Sequence, residues 1–128
     1  MKSEGRKIEQ KVREILSKRF RKALSEKKVV IGIRSDKSQK FHKFDLVSND
    51  ERIIGEIKSS KFSNETTGKA GYITTRKARL IEALFYLSRV KAQTKLLILT
   101  DKDLFEQFKK DMDGLLSADI KIIHVNVT

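Results

Sequence analysis

Asp45, Glu56 and Lys58 are the residues of this chain whose types and spacing best suit chemistry. They lie in two apolar stretches, Phe44-Asp45-Leu46-Val47 and Ile53-Ile54-Gly55-Glu56-Ile57-Lys58. A charge there is costly to bury without a partner. If the second stretch is a strand, side chains alternate, so Ile54, Glu56 and Lys58 share one face and Ile53, Gly55 and Ile57 the other. Ser48-Asn49-Asp50-Glu51 is a polar turn suited to closing an antiparallel hairpin. Folding back at that turn brings Asp45 beside Glu56 and Lys58. Two carboxylates and an ammonium converging at a sheet edge make a site for a divalent metal, with a second cation built in.

A third acid comes from the N-terminal segment. Ile8, Val12, Ile15, Leu16, Phe20 and Ala23 recur at three- and four-residue spacing, which predicts an amphipathic helix from Glu4 to Leu24. At about 100° per residue from Ile8, the apolar stripe centres near ~50° on the helical wheel. Glu9 falls at about 100°, on the margin of the packing face, and Glu14 at about 240°, toward solvent. Glu9 is therefore the helix acid that needs a partner, which a metal or Lys58 would supply.

These residues must be carried by a larger frame. A strand is predicted over Val29–Ile33, then a polar loop, Ser35-Asp36-Lys37-Ser38, then strands over His42–Val47 and Arg52–Lys58. Ser59–Thr75 is a long polar connection containing Gly68 and Gly71, and is expected to be mobile in the free protein. A helix follows over Arg76–Lys91, with Leu80, Ile81, Leu84, Phe85 and Leu87 as a broad buried face. Leu96-Leu97-Ile98-Leu99 has no alternation, as expected of a strand covered on both faces. Asp101 can cap a third helix carrying Leu104, Phe105, Phe108 and Met112, with Asp113-Gly114 as its stop, and Ile120–Val127 is a last strand. The order α-β-β-β-α-β-α-β predicts one α/β domain over residues 1–128, a mixed sheet with helices on its faces.

Composition points to the partner. The net charge is +12, which calls for a polyanion, most often a nucleic acid. Eleven Lys and Arg against four Glu in residues 2–28 give +7, and residues 61–79 contribute +4. Two basic segments flanking the acidic cluster suggest a groove for a phosphate backbone rather than a uniform coat. With no cysteine, disulfides, thiolate zinc sites and cysteine nucleophiles are excluded. No apolar run approaches the roughly 20 residues of a membrane span and no signal-peptide core is present, so a soluble cytoplasmic protein is expected. No phosphate-binding glycine motif adjoins a strand and helix, and no nucleophile–histidine pair is present, which disfavours a small-molecule enzyme. His42 and His124 lack metal-ligand spacing and are read as structural, although His42 lies near Asp45.

In this order of elements, Asp45 and Glu56-Ile57-Lys58, with eleven residues between the two acids' numbers, resemble the PD-(D/E)xK nuclease superfamily. The position before the first strand acid, often proline there, is Phe44 here. Within the superfamily the chain is most similar to the archaeal Holliday junction resolvases. Gly5-Arg6-Lys7-Ile8-Glu9 matches their N-terminal Gly-x-x-x-Glu, and Glu56-Ile57-Lys58-Ser59 with the basic stretch Gly68 to Arg76 matches their strand end and loop. The resemblance implies a restriction-endonuclease-like αβββαβ core followed by a C-terminal helix and strand. It also implies a metal-dependent DNA endonuclease, selectivity for branched DNA such as Holliday junctions, a homodimer, and no small-molecule cofactor.

The roles then follow from charge. Asp45 and Glu56 would hold Mg2+, for which Mn2+ would substitute, and the backbone carbonyl of Ile57 could add a ligand. Glu9 would be an outer carboxylate or a ligand of a second metal. Lys58 would orient the attacking water or pair with the scissile phosphate. Lys61 and Lys69 could follow the backbone, and Tyr72 could stack on a base or sugar. Arg76, Lys77 and Arg79 crowd a helix N-terminus, where cations oppose the helix dipole and a bound phosphate would offset the cost.

Two binding readings stand beside the enzyme. Gly68-Lys69-Ala70-Gly71 matches the GxxG loop of KH domains, but Ser59–Thr67 is a poor helix and that loop must join two helices. The other is a nuclease-like fold that binds nucleic acid without catalysis.

Overall fold

The structure, a computed structural model, describes residues 4–60 and 75–127. Their elements run α1 (Glu4–Phe20), β1 (Leu24–Ile33), β2 (Gln39–Ser48), β3 (Ile53–Lys58), α2 (Lys77–Ser88), β4 (Thr94–Leu99), α3 (Lys102–Asp111) and β5 (Ile120–His124). The five strands form one open mixed sheet in the order β1-β2-β3-β4-β5. The β1–β2 and β2–β3 pairs are antiparallel, and the β3–β4 and β4–β5 pairs parallel. The α/β architecture and mixed sheet expected from the sequence are thus present.

The sheet carries helices on both faces. Val12 and Leu16 of α1 pack with Leu46, Ile53, Ile57, Leu96 and Ile98. On the opposite face, Leu80, Ala83 and Leu87 of α2 and Leu104 and Phe108 of α3 pack with Phe44, Val47, Ile54, Leu97 and Leu99. The central strands β3 and β4 are covered on both sides, which is why Leu96 to Leu99 show no polar alternation. Gly55 is needed for this closeness. A Cβ there would meet Ile98 Cδ1 at 3.0 Å and the Leu96 carbonyl oxygen at 3.1 Å.

Several boundaries differ from expectation: β2 starts at Gln39 and not His42, α2 ends at Ser88 and not Lys91, β5 ends at His124 and not Val127, and the α1–β1 junction is shifted. α1 ends at Phe20, not Leu24, because Arg21 turns into the left-handed region at φ 55° and the Lys22 N–H donates back to the Ser17 carbonyl at 3.2 Å. Leu24 then pairs with Ser48, so β1 begins inside the expected helix. β1 is an edge strand whose Ser25 to Lys28 face solvent, and its polar composition hides its strand character. On α2, Ile81 and Phe85 do not join the buried face: they are 45% and 58% exposed. Asp101 does cap α3, its Oδ2 accepting from the Leu104 N–H at 2.9 Å, and Gly114 supplies the positive φ (80°) just beyond the helix end. Among the described residues no helix is long and apolar enough to cross a membrane. Most of the Ser59–Thr75 connection, including the Gly68-Lys69-Ala70-Gly71 match, lies outside the described residues.

Candidate active site

β2 and β3 pair through Leu46↔Gly55 and Val47↔Ile54, and Asp45 is the residue at which that register breaks. Against β1, Ser25 pairs with Val47 and Lys27 with Phe44, so Asp45 and Leu46 together stand opposite Glu26 alone. Such a bulge adds one residue to a strand and re-aims its side chains. Its imprint is in the core, where Phe44 and Val47 pack in the same layer although strict alternation would put them on opposite faces.

The side chain of Asp45 takes over a role normally held by backbone. Its Oδ2 accepts the N–H of Ile57 at 2.9 Å, satisfying a donor on β3 beyond the last paired residues. Arg13 of α1 fastens the bulge from the helix side: Nη1 donates to the Asp45 carbonyl at 3.0 Å, and Nη2 lies 3.8 Å from Glu26 Oε1.

Glu56, on the central strand, is only 4% exposed. Its Oε1 is buried without a hydrogen-bond partner, and its Oε2 lies 3.3 Å from His42 Nε2, out of line for a hydrogen bond. His42 is held by rings: Tyr86 of α2 stacks on it at 3.8 Å and 13°, and Phe44 meets it edge-on at 4.6 Å.

The electrostatics describe one cluster. Burial pushes the Glu56 carboxyl up to about 8; repulsion from Asp45 and Glu9 adds to this and Lys58 opposes it. Burial also raises Asp45, against the Ile57 N–H and Lys58. Glu9 is raised by burial, then by Asp45, with Arg13 and Lys58 opposing. Burial lowers His42. At neutral pH, then, Glu56 keeps its proton and His42 carries no charge, so their contact joins two neutral groups and not an ion pair.

Glu9, Asp45, Glu56 and Lys58 are therefore brought together, with Glu9 coming from the α1 side and Glu56 and Lys58 from β3. Ile57 joins them through its amide. Glu14 is exposed on α1. Arg76 and Arg79, with Ser60 and Thr75, line a separate polar cleft of about 210 Å³ at the start of α2. Lys77 is turned the other way, its Nζ 3.5 Å from Asp111 Oδ2 on α3. Lys61, Lys69 and Tyr72 lie outside the described residues.

Arg13, Glu26 and Tyr86 are neighbours of the cluster that sequence reasoning does not single out. Arg13 had a usable signal, since it lies one helical turn from Glu9 on the same face of α1. Tyr86 had none, because its contact with His42 joins α2 to β2 across the sheet.

No protein-family model, curated protein or solved structure matches the chain.

Proposed function

We propose that this protein is a Mg2+-dependent endonuclease of the PD-(D/E)xK type that hydrolyses phosphodiester bonds of DNA, with branched DNA such as a four-way junction as a candidate substrate. The observation that carries this reading is the convergence of Glu9, Asp45, Glu56 and Lys58 where β2 and β3 part. The helix, the three-stranded meander and the helix-connected parallel strands support a restriction-endonuclease-like fold.

The residues fit a divalent metal. Glu56 Oε1 is a buried oxygen with no donor, and Asp45 raises the proton affinity of both Glu9 and Glu56 while Glu9 adds to that of Glu56, a strain that a cation relieves. Among the described residues no three His, Asp or Glu side chains form a ready-made cage. Mg2+ does not require one, since it is commonly held by one or two carboxylates and keeps several waters. Asp45 and Glu56 would hold the ion, with the Ile57 carbonyl as a further ligand and Glu9 as an outer carboxylate. When bound, the metal supplies a water of lowered pKa and stabilises charge on the phosphoryl oxygens.

The protein's own groups do the rest. The Ile57 N–H and Arg13 fix Asp45 from its carboxylate and its carbonyl, so the acid needs no reorganisation. Lys58 acts on all three carboxylates and is the cation available to the scissile phosphate. The net charge of +12 and the arginine-lined cleft at α2 favour the phosphate backbone. A cytoplasmic location and a homodimer belong to the same reading, with exposed Ile81 and Leu115 as apolar surface for a second copy.

The test incubates linear, nicked, flapped and four-way DNA with and without Mg2+ or Mn2+. Metal-dependent cleavage is expected, and Glu56→Ala and Lys58→Ala should lose it while retaining DNA affinity. Binding with no cleavage of any substrate would refute the enzyme and leave a DNA-binding protein with a nuclease-like fold.

A further inference from the structure

Next to the cluster lies a groove of about 410 Å³ between the β1–β2 hairpin and α2. Ile31, Ile33 and Phe85 give it an apolar lining, and Tyr86 forms a wall. The Tyr86 ring stacks on His42, whose Nε2 is 3.3 Å from Glu56 Oε2, so the groove and the acidic cluster are separated by two stacked rings. Phe85 and Ile33 are 58% and 63% exposed, an unusual outlay of apolar surface beside a polar site.

The rim has one sign of charge. Arg34, Lys40 and Arg89 line it and none is paired with a carboxylate among the described residues. Arg89 is fixed by Nε donating to the Ile31 carbonyl at 3.1 Å, and Arg34 by Nη1 donating to the Gln39 carbonyl at 2.8 Å. Glu82, the one acid of α2, lies outside the lining. An occupant must be anionic at its edge and flat or apolar at its centre. It also lies two rings away from the place where a phosphodiester would be cut.

We propose that this groove takes an unpaired nucleotide of the substrate, its base on Phe85 and its phosphate on Arg34, Lys40 and Arg89. DNA with an unpaired strand next to duplex is then the preferred substrate class. The proposal rests on the nuclease reading for its choice of DNA, but its test does not require cleavage.

Fluorescence anisotropy of the full chain in EDTA compares a labelled duplex with the same duplex carrying a short single-stranded flap. The flap should tighten binding about tenfold, and Phe85→Ala should remove that gain while leaving duplex affinity unchanged, in line with the loss of one base stack. Phe85→Trp should keep the gain. Phe85 is largely exposed, so its truncation leaves the core intact. Equal affinity for flap and duplex, or an Ala variant that weakens both alike, overturns the groove. So does a loss of flap affinity accompanied by loss of a dimer in light scattering, which assigns Phe85 to subunit contact. A short acidic peptide ending in Phe that binds the wild type but not Phe85→Ala, with flap affinity unmoved, assigns the groove to a protein partner and also overturns the proposal. Flap preference without cleavage in Mg2+ sinks the nuclease and spares the groove; cleavage without flap preference does the reverse.

Discussion

Replacing Glu56 by Gln should change how the stability of the metal-free protein depends on pH. Glu56 is buried, keeps its proton up to about 8 in the fold, and has an ordinary value of 4.5. Between those values the unfolded chain has released a proton that the folded chain still holds. The unfolded state therefore binds fewer protons, and stability falls as pH rises through that window, levelling off above the folded value. At about 1.36 kcal/mol per decade, the full loss is at most about 5 kcal/mol. Asp45 and Glu9 are also raised, so they add loss of the same sign. Against a total stability of roughly 5–15 kcal/mol this is a large effect.

Gln keeps the shape and removes the titration. The buried amide in place of Glu56 carries its own cost, roughly 1–3 kcal/mol if a group is left unpaired, but that cost does not vary with pH. The slope, and not the absolute stability, is thus the readout. Urea unfolding followed by circular dichroism from pH 5 to 9, in EDTA and moderate salt, gives it directly. The wild type should lose several kcal/mol across the range, and Glu56→Gln should lose much less. Added Mg2+ should restore wild-type stability most strongly at the alkaline end, because it favours the charged carboxylate, and should do little for the variant. A wild-type profile that is flat or rises over this range, or one that the variant reproduces, would show that Glu56 is not a desolvated acid and would remove the electrostatic basis of the site.

Three further outcomes bear on the frame around it. Gly55→Ala should destabilise the fold by about 1–3 kcal/mol in urea titration, since the new methyl meets the fixed Leu96 carbonyl oxygen at 3.1 Å. Asp101→Ala should cost about 1 kcal/mol by loss of the cap on Leu104, with DNA affinity untouched. Arg13→Gln should lower kcat for DNA cleavage by at least about tenfold with little change in KM, because Arg13 acts on Asp45 and not on bound DNA. An Arg13 variant that loses only affinity would make it a phosphate contact instead.

The acids and the lysine could be found from sequence because each obeys a local rule. Strand alternation puts Glu56 with Lys58, a polar turn of four residues folds Asp45 back onto them, and the helical wheel separates Glu9 from Glu14. The antiparallel pairs Leu46↔Gly55 and Val47↔Ile54 are what that turn demands. The bulge at Asp45 could not be found in this way. Phe44, Leu46 and Val47 are all apolar, so β2 alone gives no sign of which residue is out of phase; a bulge is a count between two strands. The wide apolar stripe of α2 misled for a related reason. Periodicity tells which residues are apolar and on which side, but the sheet beneath sets how much of that side is covered, and Ile81 and Phe85 fall beyond it.

The irregular positions are also the ones that involve the proposed sites. β1 and β2 carry two register shifts, one at Asp45 and Leu46 on β2 and one at Ile31 on β1, between Val30↔Phe41 and Gly32↔Lys40. Each costs the hairpin a regular backbone pairing. At both, a backbone carbonyl is taken up by an arginine from outside the hairpin: Arg13 of α1 bonds Asp45 and Arg89, just past α2, bonds Ile31. The two arginines come from opposite faces of the sheet, so the hairpin is clamped at both bulges by different layers. One bulge aims the carboxylate of Asp45 at the Ile57 amide, and the other lies at the floor of the groove. A hairpin built only for stability would have no need of either. Bulges that are paid back by separate side chains, at the two places where a charged substrate could be held, are better explained as devices for placing a site than as flaws in a strand.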